Sequence, residues 1–190
     1  MELKRYDTAR AVLYVCPLPE ADASKRERER LTEAALLQHI FGQPVTLAHD
    51  ADGKPSLDGR PEHISISHSR GRLCIALSAE EVGVDIEDIS PRLERVKERF
   101  LTADEQQQWL QLHADGNLTP LQRLAVCWSA KEALYKLAGS RAGALGENIL
   151  ISVGEIGKNN IFHAAIGRER FALQTVEMNP QYEITLAWRC

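Results

Sequence analysis

The stretch that decides the fold is ISISHSRGRLCIALSAEEVGVDIE, residues 64–87. It holds three short strand-like runs, Ile64 to Ser67, Leu73 to Ser78 and Val82 to Glu87, separated by brief turns. Runs so close together predict an antiparallel meander. Upstream, Ala11 to Val15 predicts a strand stopped by Cys16-Pro17-Leu18-Pro19, and Ser24 to Ile40 a helix ended by Gly42 and Pro44. Leu31, Ala34, Ala35 and Gln38 follow helical spacing along it. Val45 to Ala48 is a candidate strand and Asp52-Gly53-Lys54-Pro55 a turn. Downstream, Pro91 opens a helix through Phe100, Asp104 to Leu112 forms another, and Pro120 to Ala138 is the clearest of all. Thr119 can cap that last helix, Pro120 suits its first turn, and Gly139 suits the position after its end. Strands at Asn148 to Val153, Ile161 to Ala165, Phe171 to Val176 and Tyr182 to Trp188 close the chain. The order implies the α+β class. Each half reads as a helix plus several antiparallel strands, which suggests two similar subdomains, 1–80 and 81–190.

Composition bounds the function. The chain has 190 residues, 44% hydrophobic and 26% charged, with a formal net charge of -4. An acidic balance argues against a general nucleic-acid or membrane-surface binder. The cysteines Cys16, Cys74, Cys127 and Cys190 are scattered with no CxxC pair, which fits free thiols in a reducing compartment better than a zinc site. Apolar stretches run to about five residues, far short of the ~20 of a membrane span. The expectation is a cytoplasmic monomer.

Three features carry chemistry. In Gly83-Val84-Asp85-Ile86-Glu87, a strand turns Asp85 and Glu87 to one face and Val84 and Ile86 to the other. Adjacent carboxylates repel unless a cation or protons neutralise them, so this face is either solvated or a hold for a hard cation such as Mg²⁺. In the clearest helix, Glu132 and Lys136 share a face, four residues apart. They form either a surface ion pair or part of a site, and Trp128 and Tyr135 nearby suggest partial burial of that face. Lys54 in its tight turn can meet a phosphate as a point charge. Ser67, His68 and Ser69 offer donors at a strand end. No GxSxG elbow supports a hydrolase built on His68.

Taken in order, these segments resemble the 4′-phosphopantetheinyl transferase superfamily. That family's pattern is a G-[IVL]-D-x-E strand followed after roughly forty residues by a W-[ST]-x-K-E-x-x-x-K helix. Here it reads Gly83 to Glu87, then Trp128-Ser129-Ala130-Lys131-Glu132 through Lys136. Arg99-Phe100-Leu101 with Glu105 looks like the connector between them, and Gly53-Lys54-Pro55 with Ser65-Ile66-Ser67-His68-Ser69 looks like the upstream signature. Length and the presence of both motif groups look like the Sfp type, a single-chain pseudo-dimer whose two halves are related by a pseudo-two-fold.

The resemblance implies transfer of phosphopantetheine from coenzyme A to a serine of an apo acyl or peptidyl carrier protein, the chemistry of a holo-[acyl-carrier-protein] synthase, with release of 3′,5′-ADP. It implies that Asp85, Glu87 and Glu132 bind Mg²⁺, with Glu132 as candidate base and Lys136 on the pyrophosphate. Lys54, Ser67 and His68 would hold the nucleotide end, with Lys131 and arginines of the first helix, in a register open among Arg26, Arg28 and Arg30, as further coenzyme A contacts. Arg92, Arg95 and Arg99, three and four apart in the helix expected from Pro91, form either a solvated face offset by Glu94 and Glu98 or a surface that meets an acidic carrier. Two other readings compete: a coenzyme A-dependent acyltransferase with His68 as base, and a non-catalytic protein that binds coenzyme A or a carrier.

Overall fold

A computed structural model describes all residues except 1, 21, 112–117, 145–146, 154–155 and 157–159. The chain adopts the expected α+β class, with two antiparallel sheets. The first has the order β1 (Lys4–Asp7), β2 (Val12–Pro17), β6 (Arg72–Ser78), β5 (His63–Ser69). The second has the order β7 (Val82–Asp88), β11 (Tyr182–Arg189), β10 (Glu169–Met178), β9 (Ile161–Ile166), β8 (Ile149–Ile151). A small hairpin of β3 (Leu47–His49) and β4 (Pro55–Leu57) flanks them. The helices are α1 (Lys25–Phe41), α2 (Arg92–Val96), α3 (Ala103–Gln111) and α4 (Pro120–Ala138). The last residue of the helix expected over Asp104 to Leu112 lies outside the described residues.

The alternation of side chains builds the layers. On β2 and β6, Leu13, Val15, Cys74 and Ala76 face Val82, Val84, Ile86, Ile184 and Leu186 of the second sheet. The opposite face of β6, Leu73 and Ile75, packs on Leu36 and Leu37 of α1. The far side of the second sheet, including Phe171, Leu173 and Ala187, receives α4 through Leu124, Ala130, Ala133 and Leu137. Each strand period of two therefore splits cleanly between two cores.

Three local features differ from the sequence reading or add to it. The meander does not continue through β7: β5 pairs with β6, but β7 joins the second sheet, in register with β11 from Val82↔Trp188 to Asp88↔Tyr182. What links β5 to β7 is side chain to backbone. Ser65 Oγ accepts from the Val84 N–H at 2.9 Å and Ser67 Oγ from the Ile86 N–H at 3.3 Å. Second, the buried face of α1 is Thr32, Leu36 and Leu37, whereas Leu31 is 52% exposed. Thr32 tolerates burial because its hydroxyl donates to the Arg28 carbonyl at 2.7 Å. Third, the helix expected from Pro91 through Phe100 breaks after Val96 and continues as a 3₁₀ turn, Lys97–Arg99, as Leu93 and Phe100 both bury. Arg92, Arg95 and Arg99 therefore do not form one continuous helical stripe.

Candidate functional site

The site forms where β7, β5 and α4 meet, and Gly83 makes the approach possible. A Cβ on Gly83 would overlap the backbone carbonyl of Ala133, so the helix lies against bare backbone. α4 begins with a capping box, Thr119 accepting from the Gln122 N–H while the Gln122 side chain accepts from the Thr119 N–H. One face of β7 carries Asp85 and Glu87 toward α4, and Glu132 and Lys136 come from that helix.

Asp85 is buried, 5% exposed. Its Oδ1 accepts from Lys136 Nζ at 2.7 Å and from Ser67 Oγ at 2.6 Å. Lys136 also donates to the Val84 carbonyl at 3.1 Å. Asp85 Oδ2 is buried with no hydrogen-bond partner among the described residues. The Glu87 carboxyl is pushed up to about 7, chiefly by burial, then by the Asp85 carboxylate, with Arg92 opposing. Burial, then Asp85, likewise raises Glu132, against the pull of Lys136.

A fourth carboxylate joins them. Glu183 on β11 stands opposite Glu87 in the ladder. It is wholly buried; its Oε2 accepts from Thr185 Oγ1 at 2.9 Å, and its Oε1 has no hydrogen-bond partner among the described residues. Burial holds this carboxyl well above the usual range. The Ser129 hydroxyl is near enough to oppose that rise, though it makes no aligned hydrogen bond. Sequence reasoning missed Glu183, because nothing local marks a strand glutamate as buried.

The oxygen-rich donor set suits a hard cation, and the orphaned Asp85 Oδ2 is an atom such a cation would satisfy. Among the described residues, however, no three His, Cys, Asp or Glu side chains stand close enough together to hold a metal ion. Asp85, Glu87 and Glu132 share an electrostatic neighbourhood rather than a coordination shell, and the positive charge at Asp85 is the Lys136 ammonium. A divalent cation would draw on these carboxylates by rotamer shifts.

Beside the carboxylates lies a cleft of about 320 Å³. Lys54, His68, Tyr135, Lys136 and Glu33 are among its lining residues. Lys54 is set by its turn: Asp50 Oδ1 accepts from the Asp52 and Lys54 N–H groups, and Gly53 takes the left-handed φ of 80°. Its ammonium donates to Glu81 Oε1 at 2.7 Å and to the Leu137 carbonyl at the end of α4 at 3.3 Å. Tyr135 is 45% exposed, and its ring offers the cleft a flat surface.

The other expected residues fall elsewhere. Ser67 does not line the cleft, since its hydroxyl is spent between Asp85 and the Ile86 amide. Lys131 is corrected outright as a coenzyme A contact: it is fully buried, with Nζ 2.7 Å from Glu105 Oε2. Glu105 also accepts from the Thr102 and Ile151 N–H groups, both at 2.8 Å. This pair ties α3, α4 and β8 together. Arg26 and Arg30 are exposed on α1 and do not line the cleft. They precede Glu33 on one helical face.

Among the described residues, no helix is long and apolar enough to cross a membrane. The sequence model of the 4′-phosphopantetheinyl transferase superfamily matches residues 81–187, which include Asp85, Glu87, Glu132 and Lys136. The chain is 28% identical over 170 residues to the 4′-phosphopantetheinyl transferase psf-1 of Bacillus pumilus, covering 85% of this chain and 71% of that protein. It is 27% identical over 135 residues to the 4′-phosphopantetheinyl transferase ffp of Bacillus subtilis, covering 70% of this chain and 58% of that one.

Proposed function

The chain belongs to the 4′-phosphopantetheinyl transferase superfamily, and from that premise we propose that it moves the 4′-phosphopantetheine arm of coenzyme A onto a serine hydroxyl of an apo acyl or peptidyl carrier protein. The reaction is Mg²⁺-dependent and releases 3′,5′-ADP. The observation that carries this reading is the juncture of two chemistries. Lys136 pairs with Asp85, whose electrostatic neighbours are Glu87 and Glu132, and Lys136 also lines the cleft with Lys54 and His68. A substrate with a pyrophosphate between a nucleotide and a flexible arm needs both. The single chain, with the upstream Lys54 and His68 segments, favours the Sfp-type pseudo-dimer over the shorter holo-[acyl-carrier-protein] synthase type.

Asp85, Glu87 and Glu132 would hold the magnesium ion, which supplies charge neutralisation for pyrophosphate oxygens when bound. Lys136, held between Asp85 and the Val84 carbonyl, would place a second positive charge at the leaving group. Glu132 is the candidate acceptor of the serine proton. Lys54 and His68 would fix the nucleotide end, so that catalysis rests on positioning and electrostatics.

The test is the intact mass of a purified apo carrier protein after incubation with this protein, coenzyme A and Mg²⁺. The expected result is the gain of one phosphopantetheine arm, abolished by EDTA. Acylation of an acceptor from acyl-coenzyme A, unaffected by EDTA, would replace this reading with the acyltransferase one.

A further inference from the structure

The cleft holds an acid that sequence reasoning passed over. Glu33 lies in the middle of α1, between the exposed Arg30 and the buried Leu36. It reaches across to β5, where its Oε1 is 2.9 Å from His68 Nε2. Its side chain is 17% exposed and that of His68 22%, and both line the cleft. Among the described residues, His68 is the one basic side chain within ion-pair distance of Glu33. The contact is close but poorly aligned, and Nε2 makes no hydrogen bond in this arrangement. An oxygen arriving along the ring N–H direction would make a bond that Glu33 does not.

We propose that Glu33 is a specificity-determining residue of the cleft: its carboxylate occupies the anion position at His68, and a phosphate group of the nucleotide reaches His68 only by displacing it. This rests on the reading of the cleft as a nucleotide site. Two negative groups cannot share one imidazole without a large repulsive cost. Displacement is feasible because Glu33 has a helix face to swing along, toward Arg30 one turn earlier. Glu33 therefore weakens every ligand whose phosphate must reach His68 and leaves alone those lacking such a phosphate. Selectivity for the extra phosphate is set by how much better it bonds His68 than Glu33 does.

The experiment is titration calorimetry on the full chain with adenosine 3′,5′-bisphosphate, adenosine 5′-monophosphate and inorganic phosphate. Glu33→Gln keeps the size of the side chain and removes its charge. It should tighten the bisphosphate by about tenfold, the value of one modest charge-assisted bond, and the monophosphate by less than about twofold. In a His68→Ala background the same substitution should change neither. Glu33→Ala, checked for an unchanged melting curve, should repeat the pattern. Equal tightening of both nucleotides, weaker binding of the bisphosphate, or a gain that persists without His68 would each overturn the proposal. Inorganic phosphate separates the two levels. If no nucleotide binds but Glu33→Gln gains phosphate affinity through His68, the nucleotide reading fails while the anion position at His68 stands. If phosphate gains nothing either, both fail.

Discussion

Replacing Gly83 with alanine should separate the two halves of the site. The backbone there is not in the left-handed region, so alanine is conformationally acceptable. By chain entropy alone it would stabilise by about 0.4–1 kcal/mol. The added methyl, however, overlaps the Ala133 carbonyl, whose carbon lies 2.9 Å from the new Cβ, with Leu137 Cβ at 3.1 Å. The first of these neighbours is backbone in mid-helix, so relief requires α4 to move as a body. Overpacking costs typically 1–3 kcal/mol, and a backbone obstacle puts this case near about 3 kcal/mol. For a chain of this size each kcal/mol shifts Tm by about 2–4 °C, so a fall of about 10 °C is expected. The Lys136–Asp85 pair at 2.7 Å bridges the same two elements and would lengthen with them. A misplacement of about 1 Å can cost about a hundredfold in rate. Thermal melting by circular dichroism, paired with the carrier mass assay, reads both effects. A variant within about 2 °C of the parent and fully active would refute the claim that α4 needs bare backbone at Gly83.

Three further outcomes are expected. Lys136→Met leaves the buried Asp85 carboxylate without a counter-charge, which should cost about 3 kcal/mol in urea unfolding; added Mg²⁺ should recover part of that loss, and a variant as stable as the parent would show that Asp85 does not need the ammonium. Tyr135→Ala should weaken adenosine nucleotides by about tenfold if the ring stacks on the base, while Tyr135→Phe should bind normally; equal loss in both would point to the hydroxyl instead. The Glu87 carboxyl, pushed up to about 7 from an ordinary 4.5, binds its proton more tightly folded than unfolded, so its stabilising contribution is complete below about pH 4.5 and is lost as pH rises through 7. Melting of the metal-free protein should therefore fall over that window, and Glu87→Gln should flatten the fall; an unchanged slope would assign it to Glu132 and Glu183.

Local periodicity made much of this architecture legible. The apolar run of β6, the alternation in β11 and the caps of α4 are written within a few residues, and so are the carboxylates at 85 and 87. What escaped were long-range choices. Nothing within Val82 to Glu87 says that its partner is a strand a hundred residues later; Ser65 and Ser67 make that junction by hydrogen bonds to the Val84 and Ile86 amides, and alternating serines read equally well as a solvent face. The buried face of α1 is not marked locally, because leucine at 31 looks more apolar than threonine at 32, yet a threonine that bonds its own helix can be buried. The resemblance implies Lys131 as a coenzyme A contact, but it neighbours Glu132 in the helix, and adjacent helical residues point about 100° apart. Glu33 and Glu183 carry no local signal; their roles come from His68 and Glu87 across the fold.

On the proposed function, the same geometry bears on how a chain of net charge -4 would hold a polyanion. Three basic groups that line the cleft each lie against a carboxylate from another part of the chain: Lys54 with Glu81, Lys136 with Asp85, His68 with Glu33. The two lysine ammonium groups are pre-placed, and their mutual repulsion is neutralised before any ligand arrives. Binding is then an exchange of carboxylate for phosphate at each position, and its net gain is the difference between two charge-assisted bonds. Such an exchange favours ligands that present several phosphates at fixed spacing, because a single phosphate replaces one partner and gains little. On that account the basic groups favour the extra phosphate and the internal competitors temper the preference, as Glu33 does at His68.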